Sequence, residues 1–234
     1  LDLIEMNKMI EIDEGSLTGT AEAGMTWEEF LYHLSKKGWT TGPHLHSAPT
    51  ATLGGSVALC ANGGTSAKYG LVGHQVVGLE VVLPNGDIMQ TGSGANPKAK
   101  NFVRYGYGSD LTGLFIGSHG ILGVITKVTL RIYPAPEAQE IQAYSFNSLE
   151  AACKAVHEIQ KKGIPIESAY IMTGIYLSFT YPDIKAPAAI APIVITGTNE
   201  EVALYGKKVR EVCLREGQEI VDPKVIDKVK DGWK

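Results

Sequence analysis

Positive charge is not concentrated anywhere in the 234 residues: 21 Lys and Arg stand against 25 Asp and Glu, a net charge of −4. No basic patch stands out, so nucleic acid is not an expected partner. Cysteine is scarce. Cys60, Cys153 and Cys213 are odd in number, widely spaced and set in Ala-, Leu- or Val-containing segments. That predicts buried thiols in a reducing compartment rather than a disulfide framework. There is no run of about eighteen apolar residues and no basic-then-apolar leader, so no membrane-spanning helix is expected and the reading is cytoplasmic. Walker loop, G-x-G-x-x-G fingerprint, G-x-S-x-G elbow and internal repeat are all missing. The His44-x-His46 pair lacks a third and fourth ligand at suitable spacing, so no metal is predicted. What is present, 44% hydrophobic and 20% charged residues, is ordinary for a globular chain long enough for one large or two modest domains.

Along the chain, Leu1-Asp2-Leu3-Ile4 opens as if inside a strand and "KVIDKVKDGWK" closes with no domain end, the pattern of a fragment. "GTAEAGM" reads as a strand. Thr26 with Glu29 forms a capping box for a helix that places Phe30, Leu31 and Leu34 on one face and stops at Gly38. "VVGLEVVLPNGDIMQTG" is a hairpin turning at Pro84-Asn85-Gly86-Asp87, and a Gly-rich helix-like piece "YGSDLTGLFIGSHG" follows. In "GVITKVTLRIYP" strict alternation puts Val124, Thr126, Val128, Leu130 and Ile132 on one face. Pro134-Ala135-Pro136 marks a domain boundary, giving domains 1–136 and 137–234. Beyond it come strand "EIQAYSF", a helix capped by Asn147 with Glu150 at N3 and Gly163 as stop, and strands "IESAYIMTG" and "APIVITGT". A helix capped by Thr198 with Glu201 at N3 and a strand start "QEIVD" complete a ferredoxin-like order. Each cap contributes about 1 kcal/mol.

The segment "SAPTATLGGSVALCANGG", residues 47–64, is nearly free of charge and crowded with small side chains. Gly54-Gly55 stands just before Ser56-Val57-Ala58-Leu59, a plausible first helical turn, where free N–H groups favour an anion and glycine permits close approach. Gly63-Gly64 and the cluster Gly117, Gly120 and Gly123 follow. Singly, each is weak. In order, P-T-A-T-L-G-G, G-G-x-x-x-x-Y-G, G-L-E-V-V-L-P-N-G and L-F-I-G-S-H-G-I-L-G-V-I-T-K-V-T-L resemble the FAD-binding domain of the p-cresol methylhydroxylase / vanillyl-alcohol oxidase superfamily. The likeness is strongest to the glycolate and D-lactate dehydrogenase type, while "YGYGSDLTGLF" leans toward the phenol-oxidising branch.

The resemblance implies an α+β fold: the second α+β subdomain of the FAD-binding domain, then part of a ferredoxin-like substrate-binding cap. It makes Leu1-Asp2-Leu3 the last strand of a first subdomain whose pyrophosphate-cradling loop is not in this chain. It implies that Pro49, Thr52, Gly54, Gly55 and Ser56 run along the flavin and its pyrophosphate, with Gly63, Gly64, Ser66 and Gly70 in the following loop. Gly120, Gly123, Val124 and Ile125 match the piece that meets the adenine end. His119 stands where the family has Glu. Arg104, Tyr105 and Tyr107 border the Gly-rich helix, with aromatic packing the default reading and substrate contact the alternative. The implied activity is FAD-linked oxidation of a hydroxylated small molecule, a 2-hydroxy acid first and a para-substituted phenol second. The electron acceptor stays open among oxygen, a quinone, a cytochrome or a partner protein. A homo-oligomer is admitted, as is a non-catalytic flavin-fold subunit of a larger complex. No catalytic residue is implied, because such groups come from the later cap.

Overall fold

The computed structural model describes residues 1–105, 108–180, 187–220 and residue 227. The chain divides into two compact units, Leu1–Ala135 and Pro136–Lys234.

The first unit contains β1 (Met9–Asp13), β2 (Thr18–Glu22), α1 (Trp27–Ser35), β3 (Trp39–Thr41), α2 (Leu53–Ala58), α3 (Ser66–Tyr69), α4 (Val72–Gln75), β4 (Val76–Val82), β5 (Ile88–Gln90), α5 (Leu111–Phe115) and β6 (Val124–Pro134). Its sheet runs β1-β2-β6-β4-β5 with β3 also on β6, all antiparallel, so the long β6 is the spine. Leu1–Ile4 form no strand. Ile4 N–H bonds to Asp2 Oδ1 at 3.0 Å and Met6 N–H to Leu3 O at 2.8 Å, local bonds that compete with a ladder.

The Thr26–Glu29 capping box forms as read, and α1 buries Trp27, Phe30 and Leu34, with Leu31 at the flank. In the β4–β5 hairpin only Gly86 takes a positive φ, +90°. Its N–H bonds to Leu83 O and Leu83 N–H to Asp87 O, a type I turn closed by a Gly bulge. β6 departs from strict alternation. Val81 pairs with Ile125 and Glu80 with Lys127, leaving Thr126 as an extra residue. The core face therefore reads Ile125, Val128, Leu130 and Ile132, because one inserted residue moves the side chains before it to the other face.

At that bulge Glu80 is bonded by Lys127 Nζ at 2.8 Å, Thr126 Oγ1 at 2.9 Å and Gln90 Nε2 at 2.7 Å. Burial opposes ionisation of Glu80, but these donors hold its carboxyl below the ordinary range. A carboxyl lowered in the folded state stabilises above its unfolded value and ceases to do so as pH falls through the folded one. Glu80→Gln is therefore expected to shrink the drop in Tm between pH 7 and acid, read by thermal melts across that range.

The second unit contains β7 (Ala138–Phe146), α6 (Leu149–Lys161), β8 (Ser168–Ala169), β9 (Met172–Thr173), α7 (Gly174–Thr180), β10 (Ala189–Gly197), α8 (Asn199–Cys213) and β11 (Gly217–Glu219). The order β11-β7-β10-β8, all antiparallel, is ferredoxin-like. Tyr144, Phe146, Ile193 and Ile195 on the sheet meet Ile159 of α6 and Val209 of α8. The Thr198–Glu201 capping box forms as read. The cap of α6 is Ser148, not Asn147: Ser148 Oγ accepts from Ala151 N–H at 3.1 Å, which places Glu150 at N2. The strand expected over "IESAYIMTG" is split into β8 and β9. Pro192 of β10 lies opposite the gap at Tyr170 and has no N–H to give, so the ladder breaks there. Helix α7 then carries Ile175, Tyr176 and Phe179 exposed, and Ile175 and Phe179 line an open recess of about 750 Å³.

Of the cysteines, only Cys213 is fully buried, and burial pushes its thiol up to about 12. Cys60 is half-buried and Cys153 exposed on α6, against the expectation of three buried thiols. The end of the "QEIVD" segment, residues 221–222, lies outside the described residues. No helix among the described residues is long and apolar enough to cross a membrane.

Candidate cofactor site

Helix α2 starts one residue before Gly54, so both glycines lie inside its first turn rather than ahead of it, and Thr52 is the cap. The N–H groups of the first three helical residues are all taken within the protein, and the helix's own ladder starts at Ser56. Leu53 N–H bonds to Met25 O at 2.9 Å, Gly54 N–H to Ala23 O at 2.8 Å, Gly55 N–H to Thr52 Oγ1 at 3.3 Å and Ser56 N–H to Thr52 O at 3.0 Å. Gly54 is buried, and a Cβ there would stand 2.7 Å from Ala23 Cβ. Gly55 is exposed, with only Thr52 Oγ1 near a Cβ, at 3.0 Å. Ser56 Oγ accepts from the buried indole Nε1 of Trp27 at 2.8 Å. Pro49 sits exposed in the turn leading to the helix.

The second glycine pair is fitted against a passing chain. Gly64 N–H bonds to His44 O at 2.8 Å, and a Cβ on Gly63 would collide with the same carbonyl oxygen. Thr65 Oγ1 donates to Gly42 O and accepts from His44 N–H at 2.9 Å. Ser66 Oγ closes the turn, donating to Gly63 O at 2.7 Å and accepting from Gly63 N–H at 3.1 Å. Gly70 ends α3, and a Cβ there would run into the His74 ring. Among the described residues no group of three His, Cys, Asp or Glu is placed to hold a metal.

Two distant segments then meet. Gly117 N–H bonds to Val57 O at 3.0 Å and His119 N–H to Ala58 O at 2.9 Å, so the 117–120 loop covers the carbonyls at the C-terminal end of α2. Cys60 (φ +47°) and His119 (φ +54°) are two of the three described non-glycine residues with positive φ. Such conformations cost about 1–3 kcal/mol and cluster at functional sites. Cys60 is held by its neighbours: a Cβ on Gly73 would stand 3.0 Å from its Sγ, one on Gly117 3.5 Å from its Cβ. Gly120 is open, with nothing within 4 Å of where a Cβ would be. Leu59, Ile121 and Leu122 beside this joint are exposed apolar residues. Gly123 is packed on Val81, Val124 begins β6, and the Ile125 side chain is in the core.

Among the described residues of the flanking loop, Arg104 is already paired. Arg104 clamps Asp110 through Nη2 at 2.7 Å and Nε at 3.1 Å and donates to Gly73 O at 2.7 Å. Burial opposes ionisation of Asp110, but Arg104 and the Gly113 N–H hold its carboxyl below the ordinary range. Tyr105 is exposed with the Arg104 guanidinium 5.9 Å from its ring, and Tyr107 lies outside the described residues. The surface therefore offers open glycine faces, backbone groups and apolar side chains. That suits a long, partly flat ligand met by close backbone approach. The Trp27–Ser56 bond, the His44 carbonyl and the left-handed Cys60 carry no sequence signal, because each depends on what packs beside it.

Residues 1–92 match the FAD binding domain family. The chain is 32% identical over 213 residues to glycolate oxidase subunit GlcD of Bacillus subtilis (strain 168), covering 89% of this chain and 44% of that protein. It is 28% identical over 167 residues to D-lactate dehydrogenase [cytochrome] 1, mitochondrial, of Saccharomyces cerevisiae (strain ATCC 204508 / S288c), covering 71% of this chain and 27% of that protein. A solved structure of p-cresol methylhydroxylase with substrate bound superposes with a TM-score of 0.75 at 22% identity, covering 94% of this chain and 48% of that one. The chain thus spans less than half the length of the relatives it matches. Residues 1–92 thus carry the FAD binding domain of that family, and the chain has the fold of the p-cresol methylhydroxylase-type FAD-binding proteins.

Proposed function

We propose that FAD lies along the surface where the 117–120 loop meets the end of α2, and that the whole protein oxidises a hydroxylated small molecule. The substrate class is a 2-hydroxy acid such as glycolate or D-lactate. The observation that carries the reading is the pair of bonds from Gly117 and His119 to Val57 and Ala58, which joins two of the four family-like segments at one open face. The residues fit the cofactor. Gly55 and Gly120 leave room for close approach, Leu59, Ile121 and Leu122 offer apolar area for a ring system, and Ser66 and the Gly63-Gly64 turn hold the next loop rigid. Within the proposed set, Gly54, Ser56 and Gly123 act by packing, and Thr52 by capping α2. Gly64 acts through its bond to His44 O, Gly70 by its close approach to His74, and Ile125 by packing in the core. When bound, FAD supplies a two-electron acceptor for hydride. Oxidation would take a hydride from the substrate's alcohol carbon and release its hydroxyl proton to solvent, leaving a 2-oxo acid. The names of the glycolate and D-lactate relatives favour this class over para-substituted phenols.

The test uses the full-length protein. A flavin absorption spectrum that bleaches with glycolate or D-lactate under anaerobic conditions supports the reading. Bleaching by para-substituted phenols alone moves the substrate to the other branch, and bound flavin that no substrate bleaches favours a non-catalytic subunit. A protein with no flavin, either in its spectrum or released on denaturation, overturns the proposal. Gly55→Ala separates ligand contact from packing. The helix-propensity gain of about 1 kcal/mol offsets the tight approach to Thr52, so Tm is expected to stay near wild type while FAD retention falls.

A further inference from the structure

Helix α2 has six residues, too few to be stable alone, so its position is imposed by what it packs against. The segment that imposes it is the end of β2 and the start of α1. Met25 O and Ala23 O take the first two N–H groups of α2, while Ala48 O and Ala51 O take the Glu28 and Trp27 N–H groups of α1. Thr26 and Thr52 form a bridge between them. Each helix start is thus satisfied by the chain leading into the other. These are backbone bonds that many sequences would make. The side-chain bond between the two starts is specific: Trp27 Nε1 to Ser56 Oγ, 2.8 Å, with the indole fully buried and the serine nearly so.

We propose that Trp27 is a positioning residue for the cofactor, acting through Ser56 to fix the rotation of α2 and with it the faces of Gly55, Leu59 and the 117–120 loop. This rests on the FAD reading above. A buried indole N–H has no alternative acceptor among water, so a rotation of α2 that withdraws Ser56 Oγ leaves it unpaired. The loop at 117–120 follows such a rotation, because it is hung on Val57 O and Ala58 O of the next turn. Trp27 touches no part of the proposed ligand surface itself.

The experiment measures the FAD dissociation constant and the flavin absorption spectrum of full-length wild type, Trp27→Phe, Ser56→Ala, the double variant and Thr20→Val. Thr20 shares a hydroxyl bond of 2.9 Å with Thr129 in the same unit, on β2 and β6, and serves as the control for general loss of a hydrogen bond. All are compared at a temperature where circular dichroism shows them folded. Each single variant at the Trp27–Ser56 bond is expected to weaken FAD by about five- to tenfold and to shift the flavin bands. The double variant is expected to lose little more than either single, since both remove one bond. Thr20→Val is expected to bind FAD as wild type. Ser56→Ala keeps the packing if Trp27→Phe does not fold. Wild-type affinity in Ser56→Ala, or an equal loss in Thr20→Val, overturns the inference while leaving the FAD reading standing. A wild type that holds no FAD overturns the FAD reading instead.

Discussion

Replacing Gly54 by valine is expected to lower the stability of the first unit by about 3 kcal/mol or more, a fall in Tm on the order of 10 °C. The new Cβ would stand 2.7 Å from Ala23 Cβ and 3.2 Å from Ala23 O. Neither neighbour is the free end of a flexible side chain, so relief requires the backbone of α2 or of residue 23 to move. Moving it breaks the Gly54 N–H bond to Ala23 O and draws on the Leu53 bond to Met25 O beside it. Trp27, Phe30 and Leu53 pack in the same core, so the displacement is not local. Thermal melts monitored by circular dichroism check this without any cofactor. A Tm within 2 °C or so of wild type would mean that the contact with Ala23 is not the reason for glycine there.

The second large effect is expected at Gly63. A side chain there meets the His44 carbonyl oxygen and stands 2.9 Å from its carbon, again backbone rather than side chain. The 42–44 segment that follows β3 and the 63–66 turn are laced by Gly64 N–H to His44 O, His44 N–H to Thr65 Oγ1 and the Thr65–Gly42 bond. Gly63→Val must open that lacing, which leaves the buried Thr65 hydroxyl without partners at about 1–3 kcal/mol in addition to overpacking. The expected result is a destabilised protein with the turn exposed. Limited proteolysis should cut between residues 60 and 70 in the variant and not in wild type. Uncut protein with an unchanged Tm would show that the turn relaxes at no cost.

The α+β architecture and its elements were legible because their signals are local. Thr26 with Glu29 and Thr198 with Glu201 each satisfy two donors within one turn of helix, so the sequence spacing suffices to predict them. Asn147 and Ser148 are both good caps and adjacent. Which one serves depends on where β7 lets go, and that is a matter of sheet register. The break at Tyr170 depends on Pro192 across the ladder, and the β6 bulge on pairing with β4. Both are invisible to any window that contains only one strand.

The glycine-rich segments show the division most clearly. By order and spacing alone they resemble that superfamily and point to FAD, in agreement with the FAD binding domain matched over residues 1–92 and with the p-cresol methylhydroxylase-type fold, since an ordered series of four motifs is specific where each motif is weak. The sequence could not say which glycine is small for which reason. Gly54 is filled by Ala23 and Gly63 by His44, while Gly55 and Gly120 face outward. That assignment belongs to the tertiary structure, because a missing side chain reads the same in the chain whether protein or ligand occupies its place. Only the packing of remote segments reveals which space is already taken.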